Sequence, residues 1–553
     1  LSEDAPSFTY RAGFGVITLD DVLNELCLMG WAHPKNIARK IGTPIHVRAL
    51  ALEDGDGVRS AYVCAELCFI SASVRQAVVE ETKRRWELPP SHLMLTATHT
   101  HSGPNGFSRS LFYAGSGPGF CQASHDRVVE AIVEAIALAL EALQPAEIRV
   151  RAEHLPLSSP VAFNRSLKAH NRNTDVTPRS DSQRDRAVNR EMTVLRVDTL
   201  NGQALGQISW FGLHGTSLHW DNESIHSDHF GVAASSLQDS VRREGHPDFV
   251  SIFAQGAAGD VTSNYRWDKA RRLRAGHEQD DSRSADFVGA HLARHALKLF
   301  RNAKAEGELL RSAISAGLEE RSFADAPVDP EFAFGRRGET TESAALGANF
   351  SFGTAEGPGP WRFARPLRSL AALVASSARN REIARGPTAK VGSAKKVFWH
   401  LGELGRGRLL GLPAQSTVLK IYPNRFLRYY CEGMRNPKAL QLEGWLPARL
   451  PFQVLSLGSF VIAGLPNEPT THAGVTIAEM LKQVSGASRV VVNGYANAYA
   501  GYLCTHDEYH EQSYEGAATF YGPWSLAATQ TVLRKLTLEL PSKPPPSPIF
   551  PIR

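Results

Sequence analysis

Four hydrophobic runs, scattered along the whole chain, each stop in polar residues that do not suit a core. They lead into Thr98-His99-Thr100-His101, Trp210-Phe211-Gly212-Leu213-His214, Gly464-Leu465-Pro466-Asn467-Glu468, and the stretch from Asn493 through Tyr502. A sheet holds its backbone rigid while the loops at its strand ends carry polar groups, so reactive sites collect there. The four polar ends are explained together if the fold brings them to one place.

The most informative end lies in Thr96 to Gly106, which reads TATHTHSGPNG. His99 and His101 sit two residues apart behind the apolar run Leu93-Met94-Leu95. Alternate strand residues face one side, so a strand that persists this far points both imidazoles the same way. Two nitrogen donors at a strand end are half of a zinc site. For an isolated His-x-His the plainer reading is two satisfied histidines in a loop. Two His and a Glu form a standard hydrolytic zinc set that leaves a position for water or substrate. Taken singly, His214 reads as a packed histidine and Glu468 as a solvated or capping carboxylate.

The other elements follow from periodicity and breakers. Strands are expected at Phe14–Thr18, His46–Leu52, Ala61–Cys68, Ile148–Leu155, Met192–Asp198, Gln207–Leu213, Phe249–Ala254, Val397–Leu404, Phe452–Ala463 and Arg489–Val492. Ser71 or Ser73 caps a helix to about Trp86, stopped by Pro89-Pro90. Ser124 caps a second helix to Leu143, with Val129, Ile132, Val133, Ile136, Leu140 and Leu143 as its apolar stripe. Helices are also expected over Gly231–Arg243, Ala285–Lys304 and Thr471–Val484. Phe323 to Gly392 reads as long loops. The Leu28-Met29-Gly30-Trp31-Ala32 segment suits a loop packed on a site wall. Strands and helices mix without strict alternation, which predicts an α/β or α+β fold with a mixed sheet flanked by helices. One domain is expected over residues 1–540. Residues 541–553 form an extended proline-rich tail.

Composition excludes several classes. At 553 residues, 42% hydrophobic and 21% charged, the chain is that of an ordinary globular protein. No apolar run approaches the ~18 residues of a membrane span. The net charge of +5 is spread out, so no nucleic-acid footprint is visible. Six cysteines lack CxxC spacing, and pairing stays open. The chain begins at Leu1 and shows no signal peptide, so compartment stays open, as does oligomeric state.

These stretches resemble the neutral ceramidase family, zinc amidases that cleave the N-acyl bond of ceramide. The likeness covers nearly the whole chain. It runs through Leu28–Ala32, TATHTHSGPNG, Asn164-Arg165-Ser166, WFGLHGTSL from Trp210, Ser227-Asp228 and AQGAAGDVTSN from Ala254. It continues through FSFGTAEGPG from Phe350, the Glu468 turn, and Tyr502 onward to YEGAATFYGP from Tyr514. The resemblance implies zinc (Zn2+) held by His99, His214, Glu468 and Tyr502. A nearby cation favours the ionised phenol of Tyr502. It also implies catalytic roles near the metal for His101, Arg165 and Tyr514. The plain alternatives are a structural ion pair for Arg165 and a half-buried core phenol for Tyr514. The implied substrate is a small-molecule or lipid-like N-acyl compound. The implied location leans toward secreted or periplasmic, with the cytoplasm also open.

Two departures bear on mechanism. Where the family carries a catalytic serine in Gly-Asp-Val-Ser-Pro-Asn, this chain reads Gly259-Asp260-Val261-Thr262-Ser263-Asn264. Either Thr262 acts, or Ser263 swings in, or the hydroxyl only orients substrate while a zinc-activated water attacks. The third is favoured, because the threonine methyl restricts χ1 and crowds attack. Family members also continue into an immunoglobulin-like module, whereas this chain is expected to lack one. The expected activity is zinc-dependent amide hydrolysis. The alternatives are acyl transfer or cyclisation, ester or thioester cleavage, and a non-catalytic zinc-binding homologue. The crowded segment from His219 to His229 could bind a second metal but reads better as a polar loop beside the site.

Overall fold

In a computed structural model, the structure describes residues 10–19, 27–33, 36–117, 119–357, 359, 394–401, 408–409, 412–413 and 425–540. The expected proline tail lies outside them, as does much of the expected loop region up to Gly392.

The core of the expected mixed sheet is divided between two principal sheets, with smaller sheets as well among the described residues. The larger has eight strands in the order Val250–Gln255, Ala204–Phe211, Glu191–Thr199, Gln144–His154, Tyr10–Leu19, Ile45–Glu53, Arg59–Ala65 and Leu93–Ala97, with Glu308–Leu310 added beside Gln144–His154. Its two end pairs are parallel and the inner pairs antiparallel. The smaller sheet orders Ile314–Arg321, Leu450–Leu457, Phe460–Gly464 and Arg489–Asn493. Leu450–Gly464 is therefore a hairpin, where the sequence read one strand. Gly458 takes φ +73° at the turn, and Leu457 pairs with Phe460.

The sheets stack face to face between helices. Leu50, Tyr62, Met94, Ile208, Trp210 and Ile252 of the first meet Leu455, Phe460, Ile462 and Val491 of the second. The other face of the large sheet is covered by helices Ala72–Trp86 and Gln122–Glu141 at one end and Asp228–Arg243 and Asp281–Glu306 at the other. Helices Thr471–Ser485 and Ser525–Glu539 cover the small sheet. Both faces of the strands are thus buried, and burying each large apolar side chain contributes about 1.5–3 kcal/mol. One polar knot sits between the sheets: Tyr62 OH and Trp210 Nε1 donate to Asn493 Oδ1 at 2.5 and 3.0 Å.

Ser71 is the cap of the first helix, accepting from Val74 N at 3.2 Å. The second helix starts at Gln122, two residues before Ser124. Ser124 does not cap it, because its hydroxyl donates to Asn105 O in the His99 turn at 2.7 Å. That helix stops at Glu141, and Pro145 already belongs to the next strand.

The large sheet brings its distant ends together. Gln255 Nε2 on one edge strand donates to Thr98 O beyond the other at 2.8 Å. Thr100 bridges to Gly215, whose carbonyl accepts from His101 N at 2.9 Å. The strand ends that carry His99 and His214 therefore meet. The small sheet adds its own ends through a two-residue parallel pairing, Glu468 with Tyr502.

Candidate active site

The strand behind TATHTHSGPNG ends at Ala97. Strand alternation does not align His99 and His101, as the sequence suggested. His99 instead takes a left-handed backbone, φ +64°, anchored by its N–H on Leu67 O at 2.9 Å. The turn still brings the two rings together, with Nε2 atoms 3.1 Å apart. Ala32, Asp228, Tyr495 and Asn497, on surrounding loops, also have positive φ. Such strain persists only where the surroundings over-determine it, and it clusters at functional sites.

His99, His214 and Glu468 converge. His99 Nε2 is 3.0 Å from His214 Nε2 and 3.5 Å from Glu468 Oε1, and His214 Nε2 is 3.7 Å from Glu468 Oε2. His99 Nδ1 donates to Cys68 O at 2.6 Å and His214 Nδ1 to Ala258 O at 3.2 Å. A carbonyl only accepts, so the ring protons are on Nδ1 and two bare Nε2 lone pairs face each other in a buried site. That contact is repulsive unless a cation lies between them. Ligand separations of 3.0–3.7 Å match the edges of a tetrahedron with bonds of about 2.0–2.1 Å, roughly 3.3 Å. The donor set of two imidazoles and a carboxylate fits zinc, and the backbone carbonyls orient the imidazoles as zinc sites require.

Electrostatics agree. Burial, then the neighbouring charges, holds His99 and His214 well below the usual histidine range, so both imidazoles are neutral and able to bind a cation. Burial pushes Glu468 up to about 7, against donors that include Tyr495, Tyr499 and Arg165 nearby. Tyr495 OH donates to Glu468 Oε2 at 3.2 Å and Tyr499 OH to Oε1. Tyr502 is buried, with its ring parallel to that of His214 and its hydroxyl accepting from Arg165 Nη2 at 2.9 Å. Burial raises its phenol, and Arg165 acts in the opposite sense.

Arg165 is the hub of the outer layer. It donates to Glu356 at 2.6 Å, Glu515 at 2.9 Å and Gly259 O at 2.8 Å as well as to Tyr502. Burial opposes its charge, but Tyr502, Glu356 and Glu515 hold it ionised. Tyr514 sets its ring edge on Tyr502 at 5.5 Å and stacks on Phe350 at 4.7 Å. His101 is neutral, lowered to about 4 chiefly by burial. Trp31 packs its edge on the His101 ring at 5.0 Å and donates to Leu218 O, which makes it the expected site wall.

Thr262 and Ser263 face different partners. Thr262 Oγ1 donates to Glu356 Oε2 and accepts from Asn264 N at 2.9 Å. Ser263 Oγ meets Ser217 Oγ at 3.3 Å, on the side of His229. Burial raises Glu356, but Arg165, Thr262 and Asn264 outweigh it and keep the carboxylate ionised. Glu356 and Glu515 were not singled out from sequence, although both lie within the motifs quoted for the resemblance. Tyr495 and Tyr499 gave no spacing signal. In the His219–His229 segment, His219 pairs with Asp281 at 2.9 Å and His229 with Asp228 at 2.8 Å. Among the described residues, no cluster able to hold a metal uses that segment.

The family model described as "Neutral/alkaline non-lysosomal ceramidase, N-terminal" matches residues 10–408 and 436–531. The chain belongs to this family. Among ceramidase relatives, it is 30% identical to the neutral ceramidase of Pseudomonas aeruginosa over 98% of the chain and 73% of that protein. It is 28% identical to neutral ceramidase B of Dictyostelium discoideum, over 96% and 72%. The crystal structure of the Pseudomonas aeruginosa enzyme superposes with a TM-score of 0.75 at 27% identity, covering 96% of this chain and 74% of that one. A structure described as ceramidase complexed with C2 gives the same TM-score at 28% identity, covering 96% of this chain and 75% of that one. The two stacked sheets between helices are thus a ceramidase-family fold.

Proposed function

We propose that this protein is a zinc-dependent amidohydrolase that cleaves the N-acyl bond of ceramide or a closely related lipid amide. The observation that carries the reading is the pair of bare imidazole nitrogens facing each other at 3.0 Å beside a buried carboxylate. His99, His214, Glu468 and Tyr502 would hold the ion. Zinc there would polarise the acyl carbonyl and bring the pKa of a bound water to roughly 7.

The chain's own groups supply the rest. His101, neutral at rest, takes a proton from the attacking water and returns it to the leaving nitrogen. Arg165 and Tyr514 would supply hydrogen bonds that stabilise charge developing on the carbonyl oxygen. The Thr262 hydroxyl is engaged on both sides, by Glu356 and by Asn264 N, which suits a fixed substrate-orienting group better than a free nucleophile.

The test is to incubate the zinc-loaded protein with a panel of N-acyl lipids, esters and thioesters and identify products by mass. Equimolar free fatty acid and amine from a ceramide are expected. An acyl-enzyme trapped on Thr262 or Ser263, or product formed only with an added acceptor, would replace hydrolysis by acyl transfer. Tight zinc with no turnover across the panel would leave a binding protein.

A further inference from the structure

A second cluster of metal-capable side chains lies outside the set just described. His170 ends the short helix Leu167–His170, Asp260 sits in the turn after the edge strand Val250–Gln255, and Glu508 lies in helix His506–Glu511. A ring nitrogen of His170 and one carboxylate oxygen from each acid lie within 4.8 Å of one another. All three residues are more than nine-tenths buried. They line one recess that leaves no room for a water molecule.

Two features of this recess call for a ligand. First, His170 Nδ1 is buried without a hydrogen-bond partner, which is a costly state for a ring nitrogen. Second, the two carboxylates are oriented only by neutral donors. Asp260 accepts from Asn164 Nδ2 at 2.6 Å and from Thr471 N and Oγ1 at 2.7 and 2.8 Å. Glu508 accepts from Thr470 Oγ1 at 2.6 Å, Asn173 Nδ2 at 3.0 Å and Thr505 N at 3.1 Å. These donors fix the oxygens as outer-shell partners fix metal ligands, but they bring no positive charge. Burial and the Asp260 charge push Glu508 up to about 7. Glu515, also on the recess, is already paired with Arg165.

We propose that His170, Asp260 and Glu508 form a second, structural site for a divalent transition cation such as zinc or manganese. One imidazole and two carboxylates suit ions of this borderline class. The ion would tie the Asp260 turn, which carries Thr262 two residues on, to the helix that follows Tyr502. Arg165 N donates to Asp260 O at 2.8 Å, so the clamp would also steady the hub of the active site.

The test is metal content by mass spectrometry on the purified full chain, equilibrated with zinc and manganese and then desalted. Wild type should hold about two equivalents, and the His99→Ala/His214→Ala variant about one. His170→Phe, which fills the ring's place without a donor, should also hold about one and melt lower. A wild type with one equivalent that is lost in His99→Ala/His214→Ala overturns the second site and leaves the first intact. Two equivalents retained in His170→Phe overturns it as well. One equivalent that survives His99→Ala/His214→Ala but is lost in His170→Phe supports the second site and counts against the first. The wild-type count stands even if a variant fails to fold.

Discussion

At the scale of single residues, the protonation of two histidines decides the chemistry. Cys68 O and Ala258 O hold protons on the Nδ1 atoms of His99 and His214, and the Nε2 lone pairs are left for an ion. None of this was legible in sequence, because both acceptors are backbone carbonyls on loops distant in the chain. The hydroxyl at 262 is a second case. Sequence marked Thr262 and Ser263 as alternatives. The partner that separates them, Glu356, sits in a segment read as loop and quoted as a motif of the resemblance, with no role given to the residue itself. Thr262→Val should lower kcat by roughly 10²-fold, the cost of a substrate displaced by about 1 Å when its orienting hydroxyl is lost, with zinc content unchanged. Thr262→Ser should stay within a few-fold and Ser263→Ala within about tenfold, since Ser263 faces Ser217. Steady-state kinetics on a ceramide checks all three. A larger loss in Ser263→Ala than in Thr262→Val would move the role to Ser263.

At the scale of elements, close backbone approaches set the position of His101. Gly30 has φ +123°, and a Cβ there would fall 2.4 Å from His101 Cγ. The segment Leu28–Ala32 therefore does more than wall the site, since it presses directly on the ring. Gly30→Ala should displace that ring and cost at least about tenfold in kcat while zinc content holds. A variant with unchanged kcat would mean that the His101 position is not critical. The sequence identified most long strands of the large sheet and five of the longer helices, because apolar periodicity and capping residues are local signals, but it passed over the strand Ile314–Arg321 and the helices Arg425–Arg435 and Ser525–Glu539. It missed the hairpin turn at Gly458 and the true start of the Gln122 helix. A tertiary hydrogen bond from Ser124 had displaced the apparent cap. It also expected His99 and His101 to align by strand alternation, whereas a positive-φ turn does this work.

At the scale of the whole molecule, the fold is a means of gathering strand ends. The mix of strands and helices without strict alternation pointed to a mixed sheet, but nothing local told that the core would use two principal sheets or that the larger would bring its edges together. Polar ties outside the cluster of His99, His214 and Glu468 brace this arrangement. Asp281, first residue of a long helix, accepts from His219 Nδ1 at 2.9 Å and from Arg271 at 2.8 and 3.1 Å. Burial opposes its ionisation, but His219 and Arg271 outweigh it and depress its pKa. Its contribution to stability is therefore present above the ordinary value of about 3.9 and lost as pH falls below it. His219 is raised, since the Asp281 bond outweighs burial. Its contribution is full below about 6.5 and lost as pH rises through the raised value. The melting temperature of wild type should thus exceed that of Asp281→Asn most between about pH 4 and 6.5. A difference that grows below pH 4 would contradict this linkage.

The central claim is that residues from four distant strand ends hold one ion that makes an amide labile. The most direct test is the rate of fatty-acid release from a ceramide by wild type and by folded His99→Ala, under the same zinc concentration. The expected result is release by wild type and a rate at least about 10³-fold lower in the variant. Equal rates in the two proteins would contradict it.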